Sequence, residues 1–177
     1  MDSKLISTHV PVELITPHYR VKGKIPVSSS GLIGVLNDTS GSSIEVVEVW
    51  LARLHRPAET VARFESWDAV KSQLVAVLLE QRSDLGPPSV ARGGFGRLVS
   101  YRVWAGLKGF EMFGVMESPG KFNFAETIFQ GHRDFIPLYN ATLIPVFFPQ
   151  LVSRAPVLLF NRQMVEGLSV ISKAAAT

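Results

Sequence analysis

Apolar and charged residues alternate through the N-terminal stretch 10–27, which is the pattern of a half-buried strand. The alternating positions are Tyr19, Val21 and Ile25 on one face and Arg20, Lys22 and Lys24 on the other. The stretch 43–54 is rich in β-branched and aromatic residues and also predicts a strand. Between these two stretches, residues 32–38 predict one short helical turn that ends at a polar break.

The stretch 66–81 places apolar residues at helical spacing after Ser66, which is a suitable N-cap. These apolar positions are Trp67, Val70, Leu74, Val77 and Leu78. We therefore expect a helix here. A strand over 74–79 is the alternative, because periodicity alone does not assign a short apolar run.

Alternation returns in the stretch 97–116, with a turn at 106–109, and predicts a β-hairpin. Three further segments bounded by Gly, Pro or charged residues are expected to be strands: 122–129, 134–148 and 155–171. Proline cannot donate a hydrogen bond to a strand partner. Strand edges, strand ends or bulges are therefore expected at Pro137, Pro145, Pro149 and Pro156.

Glycine and proline cluster at 83–96, which predicts a linker between a first β-rich unit, 9–82, and a second, 97–175. Two pattern matches suggest that the units are duplicated: 14–25 with 116–128, and 44–51 with 136–143. The expected fold is mainly β, with about one helix. It consists of two related small barrel- or sandwich-like halves, which the pattern matches suggest to be a pseudo-duplication.

The order of a curled strand, a short turn and an apolar strand carrying Asn140-Ala141-Thr142, followed by Leu158-Leu159-Phe160-Asn161-Arg162, resembles tandem Sm-like small β-barrel domains of bacterial proteins of unknown function. The resemblance covers about residues 10–56 and 113–171. The chain lacks the Asp-x-Φ-x-Asn signature and the Arg-Gly dipeptide of Sm proteins at the expected places. The resemblance therefore implies a fold and assigns RNA binding to no residue.

Composition narrows the class of protein. The chain has 177 residues, of which 46% are hydrophobic and 19% charged, so a globular protein with a core is expected. Its net charge of +3 permits nucleic-acid binding without requiring it, and the absence of cysteine excludes disulfides and thiolate chemistry. The N-terminus has no secretory pattern and the apolar runs are too short to span a bilayer, so a cytoplasmic location is expected.

The sequence shows no recognisable catalytic apparatus. It has no P-loop, Rossmann fingerprint or nucleophile elbow, and its four histidines lack metal-ligand spacing. No catalytic residue, metal site or cofactor is predicted. An enzyme with a shallow polar site at His132, Arg133 and Asp134 is the least favoured hypothesis.

The favoured function is a non-enzymatic scaffold or interaction module that assembles through strand edges, with itself or with another protein. The stretch 138–152 carries few charges and favours core or interface residues. The alternative is a nucleic-acid-binding β-barrel protein, because arginines near aromatic residues can pair with phosphates and stack on bases. Its candidate residues are Arg92, Arg97, Tyr101, Arg102 and Trp104.

Overall fold

The computed structural model describes residues 8–87 and 98–173. Within these residues, ten strands form one antiparallel sheet, so the prediction of a mainly β fold is confirmed. The strands of the first half are β1 Thr8–Ile15, β2 Tyr19–Val27, β3 Ser43–Arg53, β4 Arg56–Val70 and β5 Ala76–Leu79. The strands of the second half are β6 Leu98–Leu107, β7 Phe110–Pro119, β8 Phe135–Pro145, β9 Ser153–Asn161 and β10 Val165–Lys173.

Short helical segments connect the strands at matching places in the two halves. Between the second and third strands lie helix α1, Gly31–Asn37, in the first half and a π-helical turn, Glu126–Gln130, in the second. Between the fourth and fifth strands lie the 3-10 turns Lys71–Gln73 and Arg162–Met164. A further 3-10 turn, Arg82–Leu85, follows β5.

Both halves have the same strand order. Four consecutive strands form an antiparallel meander, and the fifth strand returns to pair with the first, β5 with β1 and β10 with β6. The halves join where β5 pairs with β9, which gives the sheet order β10-β6-β7-β8-β9-β5-β1-β2-β3-β4. The predicted layout of two related halves is therefore present in the sheet.

The repetition extends to individual backbone positions. Strands β3 and β8 each have 11 residues, and the sixth residue of each has a positive φ, 54° at Glu48 and 48° at Asn140. The neighbouring strands β2 and β7 each carry a glycine as the fifth residue, Gly23 and Gly114, where the pairing register shifts. A side chain at either glycine would collide with the third strand. Each third strand therefore bends against a glycine of its neighbour.

One of the two predicted sequence matches coincides with this repeat. Residues 44–51 and 136–143 lie in β3 and β8 at equivalent positions, 92 residues apart. The match of 14–25 with 116–128 is wrong, because 116–128 spans the end of β7 and the start of the π-helical turn. The counterpart of β2 is β7, in which Gly114 corresponds to Gly23.

The helix predicted over 66–81 is wrong. Residues up to Val70 belong to β4, which pairs along its length with β3, and residues 76–79 form β5 between β1 and β9. The alternative of a strand near 74–79 is the one observed. Trp67, Leu74 and Leu78 do have helical spacing, but hydrogen bonding to neighbouring strands decides their structure, and such pairing is invisible to local periodicity.

The helical turn predicted over 32–38 is confirmed by α1, and the hairpin predicted over 97–116 is confirmed by β6 and β7. The strand predicted over 122–129 is wrong, because this segment enters the π-helical turn. In that turn the side-chain hydroxyl of Thr127 donates to the carbonyl of Asn123, at 2.9 Å.

The prolines lie where the sequence analysis expected. Pro145 ends β8, and Pro149 lies in the loop after it. Pro137 lies before Tyr139, the residue at which β8 begins to pair with β7. Among the described strands, Pro137 is therefore paired on one side, with β9. Pro156 lies at the bend beside Asn140, where β8 and β9 have no register pair.

Two hydrophobic clusters form the core, and the strands at the join contribute to both. Val77 of β5 and Leu159 of β9 face the first cluster, whereas Leu78 and Leu158 face the second. Because successive residues of a strand point to opposite faces, the two clusters lie on opposite sides of the sheet here. Of the predicted linker 83–96, residues 83–87 are described, and Leu85 is buried in the first cluster. Residues 88–96 lie outside the described part of the chain.

Candidate functional site: sheet edges and aromatic rows

Among the strands of residues 8–87 and 98–173, the outermost, β4 and β10, each pair with one neighbour only. Such edges present backbone N–H and C=O groups that another chain can pair with. Large apolar side chains are exposed on both edges: Val61, Phe64 and Val70 on β4, and Val170 and Ile171 on β10. The edges are therefore the surfaces that the favoured hypothesis requires.

The two halves are joined by the pairing of β5 with β9, which we call the intrachain seam. It joins the fifth strand of one half to the fourth strand of the other, in the register Ala76↔Phe160, Val77↔Leu159, Leu78↔Leu158 and Leu79↔Val157. All eight residues are apolar and buried. The free edges are the two remaining strands of the same kinds, since β4 is the fourth strand of the first half and β10 is the fifth strand of the second.

The repeat defines how the free edges correspond to the seam. Equivalent residues of β4 and β9, defined by their partners on the third strand of each half, are 91 residue numbers apart. Equivalent residues of β5 and β10, defined by their partners on the first strand, are also 91 apart. If β10 and β4 paired in the register of the seam, the residues opposite each other would be Gly167 and Ala69, Leu168 and Asp68, Ser169 and Trp67, and Val170 and Ser66.

The edges are more polar than the seam. Asp68 stands where the seam has Leu159, and Ser66 stands where it has Val157. Both side chains are exposed, whereas Ala69, the neighbour of Asp68, is buried in the first cluster. Charged residues on edge strands limit uncontrolled pairing.

The candidate nucleic-acid residues do not all come together. Arg92 and Arg97 lie outside the described residues. On β6, Tyr101 points toward the second cluster, its hydroxyl donates to the carbonyl of Gly120 at 2.9 Å, and its ring lies 5.8 Å from that of Phe122. Arg102 and Trp104 lie on the opposite face of the strand, and Arg102 is exposed.

A row of side chains that the sequence analysis missed extends from Trp104 across the second half. Trp104 lies opposite Phe113, which lies opposite Thr142, which lies opposite Arg154. Phe113 is 38% exposed. The row could not be read from the sequence because it crosses four strands whose registers are set by bulges and turns.

The first half carries an equivalent row at the repeated positions. Lys22 lies opposite Trp50, and Trp50 lies opposite Arg63. The Arg63 guanidinium lies 3.9 Å above the centre of the Trp50 ring, and Trp50 is 49% exposed. Glu13, opposite Lys22, occupies the position that corresponds to Trp104. The row of the first half therefore combines one exposed aromatic ring with two cations and a carboxylate.

The residues predicted for a shallow polar enzyme site, His132, Arg133 and Asp134, do not line one cavity in the structure. Asp134 accepts hydrogen bonds from Arg162 and Gln163, at 3.2 Å each. His132 and Arg133 instead line a cavity between β7, β8 and the π-helical turn, which Asp134 does not line. Among residues 8–87 and 98–173, no group of three His, Cys, Asp or Glu side chains could hold a metal ion.

Two carboxyl groups of the first half have shifted pKa values. Hydrogen bonds from the backbone and side chain of Ser40 lower the pKa of Asp38. Burial raises the pKa of Asp84, and the charge of Glu80 adds to the effect. Neither residue is a member of the aromatic rows, and the shifts predict a pH dependence of stability.

Comparison of the chain with known protein families, curated proteins and solved structures finds no match. Within the described residues, no helix is long and apolar enough to cross a membrane. The assignment of a function therefore depends on the edges, rows and cavities of the chain itself.

Proposed function

We propose that this chain is a non-enzymatic assembly module whose copies pair head to tail, β4 of one copy with β10 of the next. The observation that carries the proposal is the intrachain seam, where the fourth strand of one half already pairs with the fifth strand of the other. The free edges repeat the same two strands, so the pairing between chains would reproduce a junction that the fold already makes.

Such an interface would use different surfaces on the two copies. Head-to-tail contacts of this kind generate closed rings or open filaments, depending on the rotation between copies. We further propose that each half is a small Sm-like barrel. Its support is the five-stranded order with a fifth strand that returns to the first, and a third strand bent at its middle residue.

The polar character of the edges indicates that the contact between chains is weaker than the seam. At the corresponding register, Asp68 would lie opposite Leu168 and Ser66 opposite Val170, where the seam has only apolar pairs. A carboxylate brought into an interface loses hydration, which costs free energy unless it gains partners. We expect reversible assembly that depends on protein concentration.

Disulfide trapping tests both the contact and its register. The chain has no cysteine, so the single-cysteine variants Ser66→Cys and Val170→Cys report on one position each. Residues directly opposite in antiparallel strands have Cα atoms about 4.5–5.5 Å apart, which is within the range of a disulfide. We expect a mixture of the two variants to form the mixed dimer under mild oxidation, detected by mass spectrometry.

The matched control mixes Ser66→Cys with Ser169→Cys. Ser169 is the neighbour of Val170 and points to the opposite face of β10, so this mixture should cross-link poorly. Equal cross-linking of the two mixtures would contradict the register. A strictly monomeric mass in light scattering across the accessible concentration range would overturn the assembly proposal itself.

A second candidate function, nucleic-acid binding, is favoured by the two aromatic rows. Stacking of bases on aromatic side chains contributes about 1–3 kcal/mol per base, and nearby cations pair with the phosphates. Trp50 and Trp104 supply rings for such contacts, with Arg63 and Arg154 in the same rows. Arg102 lies on the same face of β6 as Trp104.

Fluorescence anisotropy with a labelled single-stranded oligonucleotide distinguishes this function from the first. Trp50→Ala and Trp104→Ala should each weaken binding, and affinity should fall steeply as salt rises. Phe147→Ala is the control, because Phe147 is 82% exposed and lies outside both rows. An affinity that does not change with salt would exclude the nucleic-acid alternative.

A further inference from the structure

A cavity of about 380 Å³ lies in the second half, between the ends of β7 and β8 and the π-helical turn. Its apolar lining includes Met116, Phe122, Ile136, Pro137 and Tyr139. Polar groups, among them those of Ser118, Thr127 and His132, contribute the rest of the lining. An apolar wall with a few polar groups is the usual character of a small-molecule site.

The corresponding segment of the first half packs into the core. There α1 lies between the second and third strands and buries Leu32, Ile33 and Leu36, each no more than 1% exposed. In the second half the π-helical turn buries only Ile128, and its Phe129 is 72% exposed. The same position in the repeat therefore buries three large apolar side chains in the first half and one in the second, where the cavity lies beside it.

We propose that this cavity binds a small molecule with a flat aromatic body of about two fused rings and one hydrogen-bonding substituent. An apolar cavity of about 150 Å³ accommodates one benzene ring, so 380 Å³ accommodates a body of about twice that size. The aromatic ring of Phe122 offers a stacking surface. The hydroxyl of Ser118 can donate to the substituent or accept from it, and the hydroxyl of Thr127, which donates to the Asn123 carbonyl, can accept from it.

The probe for a test is 2-naphthol, and the methionine methyl groups provide the readout. The chain has four methionines, so a methyl-labelled sample gives few signals, and Met116→Leu assigns the one that matters. Met116 lines the cavity, whereas Met112 is fully buried on the same strand and does not. We expect 2-naphthol to shift the Met116 signal saturably and to leave the Met112 signal in place.

Two variants that fill the cavity from different walls test the location. Thr127→Trp introduces a large side chain from the π-helical turn, and Ser118→Phe introduces one from β7. Each should weaken 2-naphthol binding at least tenfold. Gln130→Trp is the matched control, because Gln130 lies on the same turn, is exposed and does not line the cavity, so its affinity should equal that of the wild type.

An unchanged Met112 signal in each variant confirms that the second cluster remains folded. The proposal is overturned if 2-naphthol causes no saturable shift of the Met116 signal in the wild-type chain. It is equally overturned if both filled variants, correctly folded, bind 2-naphthol as tightly as Gln130→Trp does.

Discussion

The side-chain amide of Asn37 forms two hydrogen bonds with the backbone of Phe135. Its Nδ2 donates to the Phe135 carbonyl at 3.0 Å, and its Oδ1 accepts from the Phe135 N–H at 2.8 Å. Asn37 ends α1 of the first half, and Phe135 begins β8 of the second. One amide therefore satisfies a backbone donor and a backbone acceptor across the boundary between the halves.

Replacement of Asn37 should destabilise the chain. Asn37→Ala leaves both backbone groups of Phe135 without their partner at a partly buried site, which costs about 1–3 kcal/mol. Asn37→Asp keeps an acceptor for the N–H but loses the donor. Urea denaturation should rank the wild type above both variants, and a wild-type midpoint for Asn37→Ala would show that the contact contributes nothing.

The glycines at the repeated bends should not tolerate alanine. An added Cβ would lie 2.6 Å from Val46 Cγ1 and 2.9 Å from the Val47 carbonyl at Gly23, and 2.6 Å from Leu138 Cγ at Gly114. Such overpacking typically costs about 1–3 kcal/mol. Gly23→Ala and Gly114→Ala should therefore lower the thermal midpoint to a similar extent.

The control for these variants is Gly167→Ala on β10. A Cβ at Gly167 meets no atom of the described part of the chain within 4 Å, so this substitution should leave the midpoint nearly unchanged. If Gly167→Ala destabilises the chain as much as the other two variants, the cause is not the collision with the third strand.

Asp84 and Asp38 should have opposite effects on the pH dependence of stability. The raised pKa of Asp84 means that the folded chain binds this proton more tightly than the unfolded chain does. The associated stability is present below the ordinary pKa of 3.8 and is lost as pH rises through the folded pKa. Asp84→Asn should therefore exceed the wild type in stability at neutral pH, by a margin that narrows toward pH 3.8.

The lowered pKa of Asp38 has the reverse consequence. Its stability contribution is present above the unfolded value and is lost as pH falls through the folded pKa. Asp38→Asn should be less stable than the wild type at neutral pH, and this difference should shrink in acid. Denaturation of both variants between neutral and acid pH checks the two signs, and an equal sign for both would contradict these assignments.

Asp68→Leu should strengthen self-association. Asp68 occupies the position that corresponds to Leu159 of the seam, so leucine restores an apolar residue there and removes a carboxylate from the contact. Burial of a leucine side chain contributes about 1.5–3 kcal/mol. The dissociation constant from sedimentation velocity should fall at least tenfold.

Asp68→Asn removes the charge alone and should produce a smaller gain. Disulfide trapping between positions 66 and 170 in the Asp68→Leu background separates register-specific pairing from general aggregation. If association is unchanged in both substitutions, residue 68 lies outside the contact between chains.

Sequence patterns predicted the elements whose structure is set by local chemistry. The alternation at Tyr19, Val21 and Ile25 predicted β2, and the turn before Phe110 predicted the hairpin of β6 and β7. The stretch 66–81 was misassigned because its apolar residues suit a helix as well as two strands. Pairing with β3, β1 and β9 decided between them.

By itself, the sequence determined a mainly β chain of two related halves, because strand alternation and turn residues act over a few positions. Only the tertiary structure decided which strands are edges, which aromatic residues share a row and how the segment between the second and third strands packs in each half. These features depend on pairing between residues distant in sequence. Trp50 and Arg63 stack because β3 and β4 align in one register, and a slip of one residue would place them on opposite faces.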